Sequence, residues 1–133
     1  MPEAPDRLVF VYGTLRRGGR NDINRLQPAP VFVGTASLRG RLYPLGWYPG
    51  LLLGGEDAIE VVGEVYRITP PLEARLDEIE EIRPAPDSEY FKRDVAVHVA
   101  GHQRACLVYE INPERVRGRP PLAHGDWMAF YAS

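Results

Sequence analysis

The sequence predicts an α+β fold: a small, strongly curved mixed β-sheet or barrel of six to seven strands, with one main helix and short helical turns. The apolar segments are short and are separated by Gly or Pro, which favours strands over helices. Gly and Pro number 13 each, so turns are frequent. Only one segment repeats its apolar residues with a helical period. A single helix among many short strands is typical of a curved sheet on which the helix packs.

The first predicted strand is a continuous apolar run, residues 8–12, which indicates a buried strand. Glycines interrupt the later strands, so we expect kinks at Gly34 and Gly40 and a bulge at Gly63. Residues 21–27 are predicted as a short helix stopped by a proline, and residues 100–103 as the turn of a hairpin. The other predicted strands are residues 31–33, 36–43, 48–53, 59–68, 90–99 and 104–111.

The main helix is predicted to begin after Thr69 and to end near Pro84. Thr69 is a suitable N-cap. Pro70 suits the first helical position because an N–H at this position would have no hydrogen-bond partner within the helix, so proline loses no bond by lacking it. An apolar stripe then marks the face that packs on the sheet, formed by Leu72, Leu76 and Ile79.

The length of 133 residues is that of one ordinary domain, so we expect a single domain over residues 1–133. The longest apolar run is far shorter than a membrane helix, and residues 2–6 do not resemble a signal peptide. A net charge of −2 gives no general attraction to nucleic acid. One cysteine excludes an intrachain disulfide and a multi-cysteine metal site. We therefore expect a cytoplasmic protein with no cofactor, no metal and no nucleic-acid or membrane partner.

The turn after the first strand, residues 12–20, is the first candidate site. Gly13 lets the backbone leave the sheet sharply and approach a ligand closely. Consecutive loop amides can converge on an anion, and Arg16, Arg17 and Arg20 would raise the local positive potential. The alternative is a Gly-rich connection whose arginines are simply solvated.

The second candidate is Glu80, near the end of the predicted helix. At about 100° per residue it lies about 75° from the centre of the apolar stripe, where a carboxylate can face a pocket at the edge of the core. The negative end of the helix dipole and partial burial both raise the pKa of such a carboxyl towards that of a general base and acid near neutrality. The alternative is a solvated acidic face, shared with Glu73, Asp77, Glu78 and Glu81.

Other reactive residue types form no recognised site. The three histidines lack the spacing of metal ligands, and no Gly-x-Ser-x-Gly elbow is present. Cys106 lies in the middle of a predicted strand, which indicates an inert buried thiol. The aromatic residues are expected in the core or in a pocket wall, where a buried hydroxyl needs a partner.

These segments together resemble a known family. Residues 9–18, Val-Phe-Val-Tyr-Gly-Thr-Leu-Arg-Arg-Gly, with Asn21 close behind, resemble the opening signature of the gamma-glutamylcyclotransferase-like superfamily, in its gamma-glutamylamine cyclotransferase or AIG2-like branch. Residues 76–80, Leu-Asp-Glu-Ile-Glu, resemble that family's Leu-Asp-x-x-Glu segment. Residues 90–97 resemble its Tyr-x-Arg-x-x-Val-x-Val strand, and the Gly-Asp-Trp at 125–127 resembles its ending. The resemblance spans nearly the whole chain.

The resemblance implies a reaction in which the α-amine of a γ-glutamyl group attacks its own γ-carbonyl and releases 5-oxoproline and a free amine. It implies that Glu80 is the catalytic residue, which accepts the proton and later protonates the leaving amine. The loop amides would hold the α-carboxylate of a small γ-glutamyl substrate. The substrate-binding residues implied in this way are Tyr12, Gly13, Thr14, Leu15 and Tyr90.

Two positions depart from the family pattern. Lys92 stands where arginine is usual, although Arg93 is adjacent and a shift of one residue would supply the guanidinium. Glu81 follows the glutamate where glycine is common, so the end of the helix is expected to differ.

Two other functions stay open from the sequence alone. One is a non-catalytic protein of the same fold that binds a small carboxylate or amino-acid-like ligand. The other is an interaction or nucleic-acid module that uses Arg16, Arg17, Arg20 and Arg39. The amine attached to the γ-glutamyl group is not identified by any motif, and the Pro/Gly-rich segments 43–49 and 113–124 are expected to form the wall around it.

Overall fold

The structure is a computed structural model that describes residues 6–83 and 87–132. It contains α1 (Pro70–Ile79), α2 (Trp127–Ala132) and two short 3-10 turns, Ile23–Arg25 and Pro113–Val116. The strands are β1 (Arg7–Val11), β2 (Val31–Pro44), β3 (Pro49–Leu53), β4 (Ile59–Ile68), β5 (Tyr90–Val99) and β6 (His102–Ile111). They form one six-stranded sheet in the order β3-β2-β4-β1-β6-β5. β1 pairs parallel with β6, and the other neighbouring strands pair antiparallel, so the sheet is mixed.

The sheet curls so strongly that its two outer halves nearly meet. A Cβ built on Gly34 of β2 would lie 3.0 Å from Cγ2 of Val99 in β5. A Cβ on Gly50 of β3 would lie 2.7 Å from Cβ of Ile111 in β6. Glycine at both positions therefore allows the halves to approach, because no side chain intervenes. The predicted fold, a small and strongly curved mixed sheet close to a barrel with one main helix, is confirmed.

β1 is buried on both faces, as its continuous apolar sequence indicates. Phe10 belongs to an apolar cluster with Val65 and Val108, to which all six strands contribute. The neighbouring Val9 belongs to a second cluster, which contains Leu72 and other buried residues of α1. The strands thus enclose one cluster and α1 covers the other. The loop that follows β1 consequently leaves the sheet beside the helix.

Several local predictions are corrected. Residues 31–33 and 36–43 are parts of one strand, β2, whose register shifts between Phe32 and Gly34 but is regular at Gly40. Gly63 does not form a bulge. It pairs in register with Ala36.

The helical segments are shorter than predicted. Residues 21–27 contain only the 3-10 turn Ile23–Arg25, which the Asp22 side chain caps. The N-terminus of α1 is as predicted, with the Thr69 hydroxyl accepting a hydrogen bond from the amide of Leu72. The helix ends at Ile79, earlier than predicted, and Pro84 lies outside the described residues.

None of the helices in the described part of the chain is both long enough and apolar enough to cross a lipid bilayer.

The β5–β6 hairpin closes with two residues rather than the predicted four. Val99 pairs with His102, so only Ala100 and Gly101 form the turn. Their φ angles are +51° and +81°, and positive φ at both central residues is what a type I′ turn requires. Alanine adopts this region only at a cost in conformational energy.

We expect Ala100→Asn to stabilise the protein by about 1 kcal/mol, because asparagine enters the left-handed region more readily than alanine. Urea denaturation followed by circular dichroism would measure this gain. Ala100→Val is the matched control and should lower the midpoint, since a β-branched residue is the least suited to positive φ. An Asn variant no more stable than the parent protein would contradict the explanation.

Candidate active site

A cavity of about 120 Å3 opens between the loop after β1 and the C-terminal end of α1. The predicted base and all the predicted substrate-binding residues line it together: Glu80, Tyr12, Gly13, Thr14, Leu15 and Tyr90. Much of the remaining wall is aromatic or acidic and includes Trp47, Tyr48, Glu81, Glu89 and Tyr109. The fold therefore brings the two candidate segments into one place, as the hypothesis of a shared site requires.

The loop after β1 is folded by hydrogen bonds to its own carbonyl groups. The carbonyls of Gly13, Thr14 and Leu15 accept from the amides of Arg16, Asn21 and Ile23 at 3.0, 2.9 and 2.9 Å. The amides of the same three residues, 13–15, meet no acceptor within the described ranges. Unpaired amides are costly away from water. Consecutive free amides in a cavity wall are suited to binding an anion.

The predicted role of Arg16 as a source of positive potential is wrong, because its charge is paired within the protein. Its Nε donates to Glu64 Oε2 at 2.8 Å and its NH1 to Asp126 Oδ1 at 2.9 Å. Glu64, which no sequence motif indicates, is 7% exposed. It also accepts hydrogen bonds from the amide of Arg17 and the hydroxyl of Tyr66, each at 2.9 Å. These bonds fix the loop to β4 and hold its amides in place.

Gly13 is also required by its packing within the protein. A Cβ at this position would lie 2.6 Å from Cγ of Pro49, at the start of β3. The missing side chain thus makes room for the proline ring, which also lines the cavity.

Glu80 is the C-cap of α1 and so lies just beyond the last turn in which it was predicted. Its amide still donates to the carbonyl of Leu76 at 2.9 Å. The next residue, Glu81, has φ +51°, which ends the helix in the conformation that glycine adopts most easily. Position 81 holds glutamate where the family pattern commonly has glycine, and the helix nevertheless ends in the left-handed conformation.

The environment of the Glu80 carboxyl raises its pKa to about 8, first because burial disfavours the charged form and second because the Glu89 carboxylate is near. Within the described ranges no side chain or amide donates a hydrogen bond to this carboxyl. A carboxyl that gains neither a cation nor a donor is poised to exchange a proton near neutral pH.

Lys92 contacts the helix and does not line the cavity. Its Nζ lies 2.5 Å from Glu73 Oε2 and 3.0 Å from Asp77 Oδ2. Asp77 also accepts a hydrogen bond from Tyr109 Oη at 2.7 Å. The suggested one-residue shift to Arg93 does not occur, because that guanidinium pairs with Glu110 at 2.9 Å. Lys92 and Asp77 thus link the last turns of α1 to β5 and β6.

The tyrosine hydroxyls around the cavity have partners within the protein. Tyr12 Oη donates to the carbonyl of Tyr109, and Tyr90 Oη to the carbonyl of Pro49, both at 2.6 Å. Burial raises the pKa of Tyr12 and Tyr90, and the charge of Glu80 adds to the effect. Tyr48 Oη donates to Glu89 Oε2 at 2.6 Å, and burial with this bond raises its pKa to about 12. These phenols stay neutral at physiological pH and form the wall of the cavity.

No sequence motif indicates Glu89 or assigns a role to Tyr109. Glu89 precedes β5 outside any motif, so only its place in the fold brings it to Glu80. Of the two segments expected to surround the leaving amine, residues 47–49 line the cavity. Residues 113–124 line neither this cavity nor a second cavity, of about 590 Å3, that adjoins it.

No group of three or more His, Cys, Asp or Glu side chains in residues 6–83 and 87–132 is arranged to hold a metal ion. Cys106 is buried in the cluster that the strands enclose, and this burial raises the pKa of its thiol to about 11. Such a thiol is a poor nucleophile, as predicted for an inert core residue.

Comparison with known proteins identifies the family. The profile of the family described as "Gamma-glutamyl cyclotransferase, AIG2-like" matches residues 9–129. A gamma-L-glutamyl-butirosin B gamma-glutamyl cyclotransferase of Niallia circulans is 40% identical over 74 residues, which are 55% of this chain and 45% of that protein. YkqA of Bacillus subtilis is 28% identical over 120 residues, which are 90% of this chain and 40% of YkqA. The chain thus spans less than half the length of these two relatives.

Solved structures agree in fold. An AIG2-like protein from Mus musculus has a TM-score of 0.74 at 26% identity, over 92% of this chain and 90% of the mouse chain. YkqA itself has a TM-score of 0.73 at 25% identity, over 97% of this chain and 44% of YkqA. With residues 9–129 matched from β1 into α2, this chain belongs to the AIG2-like gamma-glutamyl cyclotransferase family.

Proposed function

We propose that this protein is a γ-glutamyl cyclotransferase, which cyclises the γ-glutamyl group of a small amine derivative to 5-oxoproline. The observation that carries the proposal is the cavity itself. It combines the carboxyl of a partly buried residue, Glu80, whose pKa is about 8, with three adjacent amides that lack acceptors in the described part of the chain. A γ-glutamyl group carries the complementary pair, an α-ammonium and an α-carboxylate.

In the proposed reaction the α-nitrogen forms a bond to Cγ while the bond from Cγ to the leaving nitrogen breaks. The ionised Glu80 takes a proton from the α-ammonium, which frees the lone pair that attacks. The same carboxyl then gives a proton to the departing nitrogen, so the amine leaves neutral. Cyclisation removes two protons from the α-nitrogen. One passes through Glu80 to the leaving nitrogen and the other is released to solvent, so the step balances without an oxidant or a reductant.

The protein's main contribution in this proposal is to bend the glutamyl chain. The amides of Gly13, Thr14 and Leu15 hold the α-carboxylate, and Glu80 on the other segment holds the α-amine. Because both polar substituents of the α-carbon are then fixed, the rest of the glutamyl chain has few conformations available. The γ-carbonyl lies against the aromatic side chains of the cavity wall. Restricting an intramolecular reaction in this way removes much of its entropic barrier.

Glu80→Gln is expected to lower the release of 5-oxoproline from a γ-glutamyl amine by at least about 100-fold, because the amide cannot carry the proton. The product would be measured by chromatography, and the fold by circular dichroism. Glu78→Gln is the matched control, since Glu78 is an exposed residue of the same helix that does not line the cavity. Wild-type protein that binds the γ-glutamyl amine and releases no product would instead favour the non-catalytic binding protein.

The value of kcat/KM should rise with pH through about 8, since the free enzyme must hold Glu80 ionised to accept the substrate's ammonium. Glu89→Gln should move this rise to lower pH, because the Glu89 charge is the second cause of the raised pKa. Tyr48→Phe is the control. It removes the hydrogen bond to Glu89 but keeps the charge, so the rise should not move down. A profile that Glu89→Gln leaves in place would contradict this role of Glu89.

The same pKa has a consequence for stability that needs no substrate. Between the ordinary carboxyl pKa of 4.5 and about 8, folded protein keeps a proton on Glu80 that unfolded protein has lost. Stability from this group is therefore complete below pH 4.5 and is lost as the pH rises to about 8. The melting temperature of Glu80→Gln relative to wild type should accordingly increase across this range and then level off. A difference independent of pH, measured by thermal denaturation in a buffer series, would show that Glu80 is not desolvated.

A further inference from the structure

A second, larger cavity of about 590 Å3 adjoins the one that contains Glu80. Thr14 and Trp47 line both cavities, so these two residues form a wall that the cavities share. A substrate held by its glutamyl end in the first cavity has this second space beside it. Its volume is within the range of ordinary small-molecule sites.

The two cavities carry opposite charge. Among the residues that the structure describes, the first is lined by Glu80, Glu81 and Glu89 and by no Lys or Arg. The described lining of the second includes Arg20 and Arg25 and one acid, Asp22, whose side chain accepts hydrogen bonds from the amides of Gly18 and Asn24. The carboxylate of Asp22 is thus engaged by the backbone, and the free charge of the second cavity is positive.

Arg20 is the residue of this cavity that is available to a ligand. Its guanidinium lies 4.5 Å from the ring centroid of Trp47, the residue common to both cavities. In the described part of the chain no carboxylate lies within ion-pair distance of it. Arg25 differs, because its NH2 already donates to the carbonyls of Gly19 and Arg20 at 3.0 and 2.7 Å. The ring holds the Arg20 guanidinium by a cation–π contact and leaves its edge free for a planar anion.

We propose that Arg20 determines specificity by binding an anionic group, of the carboxylate type, on the amine that leaves. The preferred substrates are then γ-glutamyl derivatives of amino acids or other amines that carry a negative charge. This inference rests on the proposed cyclotransferase function and assigns the second cavity to the leaving amine. A guanidinium pairs with a carboxylate through two parallel hydrogen bonds, which a neutral amide cannot reproduce.

The test compares γ-glutamyl-alanine with γ-glutamyl-alaninamide, which has nearly the same shape but no charge on the leaving amine. The ratio of their kcat/KM values is measured for the wild-type protein and for Arg20→Gln. Because the two amines differ in intrinsic reactivity, the change in the ratio between proteins is the quantity that reports on Arg20. We expect Arg20→Gln to lower the ratio by about fivefold, as for a partly exposed ion pair, and the effect to shrink at high salt.

Arg17→Gln is the matched control. Arg17 belongs to the same loop and also stacks on an aromatic ring, with its guanidinium carbon 5.2 Å from the centroid of Phe32, but it lines neither cavity. Its substitution should leave the ratio unchanged. Equal ratios in wild type and Arg20→Gln, with both compounds turned over, would overturn the role of Arg20 alone. Equal losses in the two arginine variants would overturn it as well, since the effect would then be one of general charge. Failure of the wild type to release 5-oxoproline from either compound would overturn the proposed function and this inference with it.

Discussion

The site depends on the buried carboxylate of Glu64, which holds the loop after β1 against β4. A carboxylate 7% exposed must be compensated, and here the Arg16 side chain, the Arg17 amide and the Tyr66 hydroxyl all donate to it. These bonds fix the conformation of the loop. In this conformation the carbonyls of residues 13–15 accept hydrogen bonds from nearby amides, and the amides of residues 13–15 have no acceptor within the described ranges. Among the described residues, loss of Glu64 would leave the Arg16 guanidinium with Asp126 as its one carboxylate partner, which is a large penalty for a mostly buried cation.

The raised pKa of Glu80 follows from where the protein directs its hydrogen-bond donors. The hydroxyls of Tyr12 and Tyr90 donate to backbone carbonyls, and those of Tyr48 and Tyr109 donate to Glu89 and Asp77. Each phenol lies in the cavity wall, yet each is already committed. Burial therefore acts on the Glu80 carboxyl unopposed, and the neighbouring Glu89 adds to it. A donor released towards Glu80 would lower its pKa and weaken it as a base.

The strands and the N-terminus of α1 could be predicted because local patterns carry them, whereas the meeting of Glu80 with residues 12–15 was predicted from the resemblance of both segments to motifs of one family. Short apolar segments bounded by Gly or Pro and a Thr-Pro helix start are short-range signals, and so is each of the two quoted motifs by itself. Contacts between distant segments could not be predicted in the same way. Glu64 appears as one acid within a strand, and nothing in its neighbours indicates that Arg16 lies against it. The packing of Gly13 against Pro49 depends on another strand, which no local pattern near Gly13 indicates. The end of α1 was misplaced because Glu81 is a residue that rarely adopts positive φ.

The parallel pairing of β1 with β6 has a consequence for how the chain reaches this structure. Leu8 pairs with Arg67 of β4 and with Cys106 of β6, so the central strand of the sheet receives one neighbour from the middle of the chain and the other from near its end. During synthesis, β1 and β4 can associate as soon as α1 has emerged, but one edge of β1 then stays unpaired until the last strand arrives. A nascent chain halted before β6 presents an apolar edge to other chains, which makes it prone to aggregation and a natural client for chaperones. High sequence separation of this kind also slows folding relative to a helical protein of equal size.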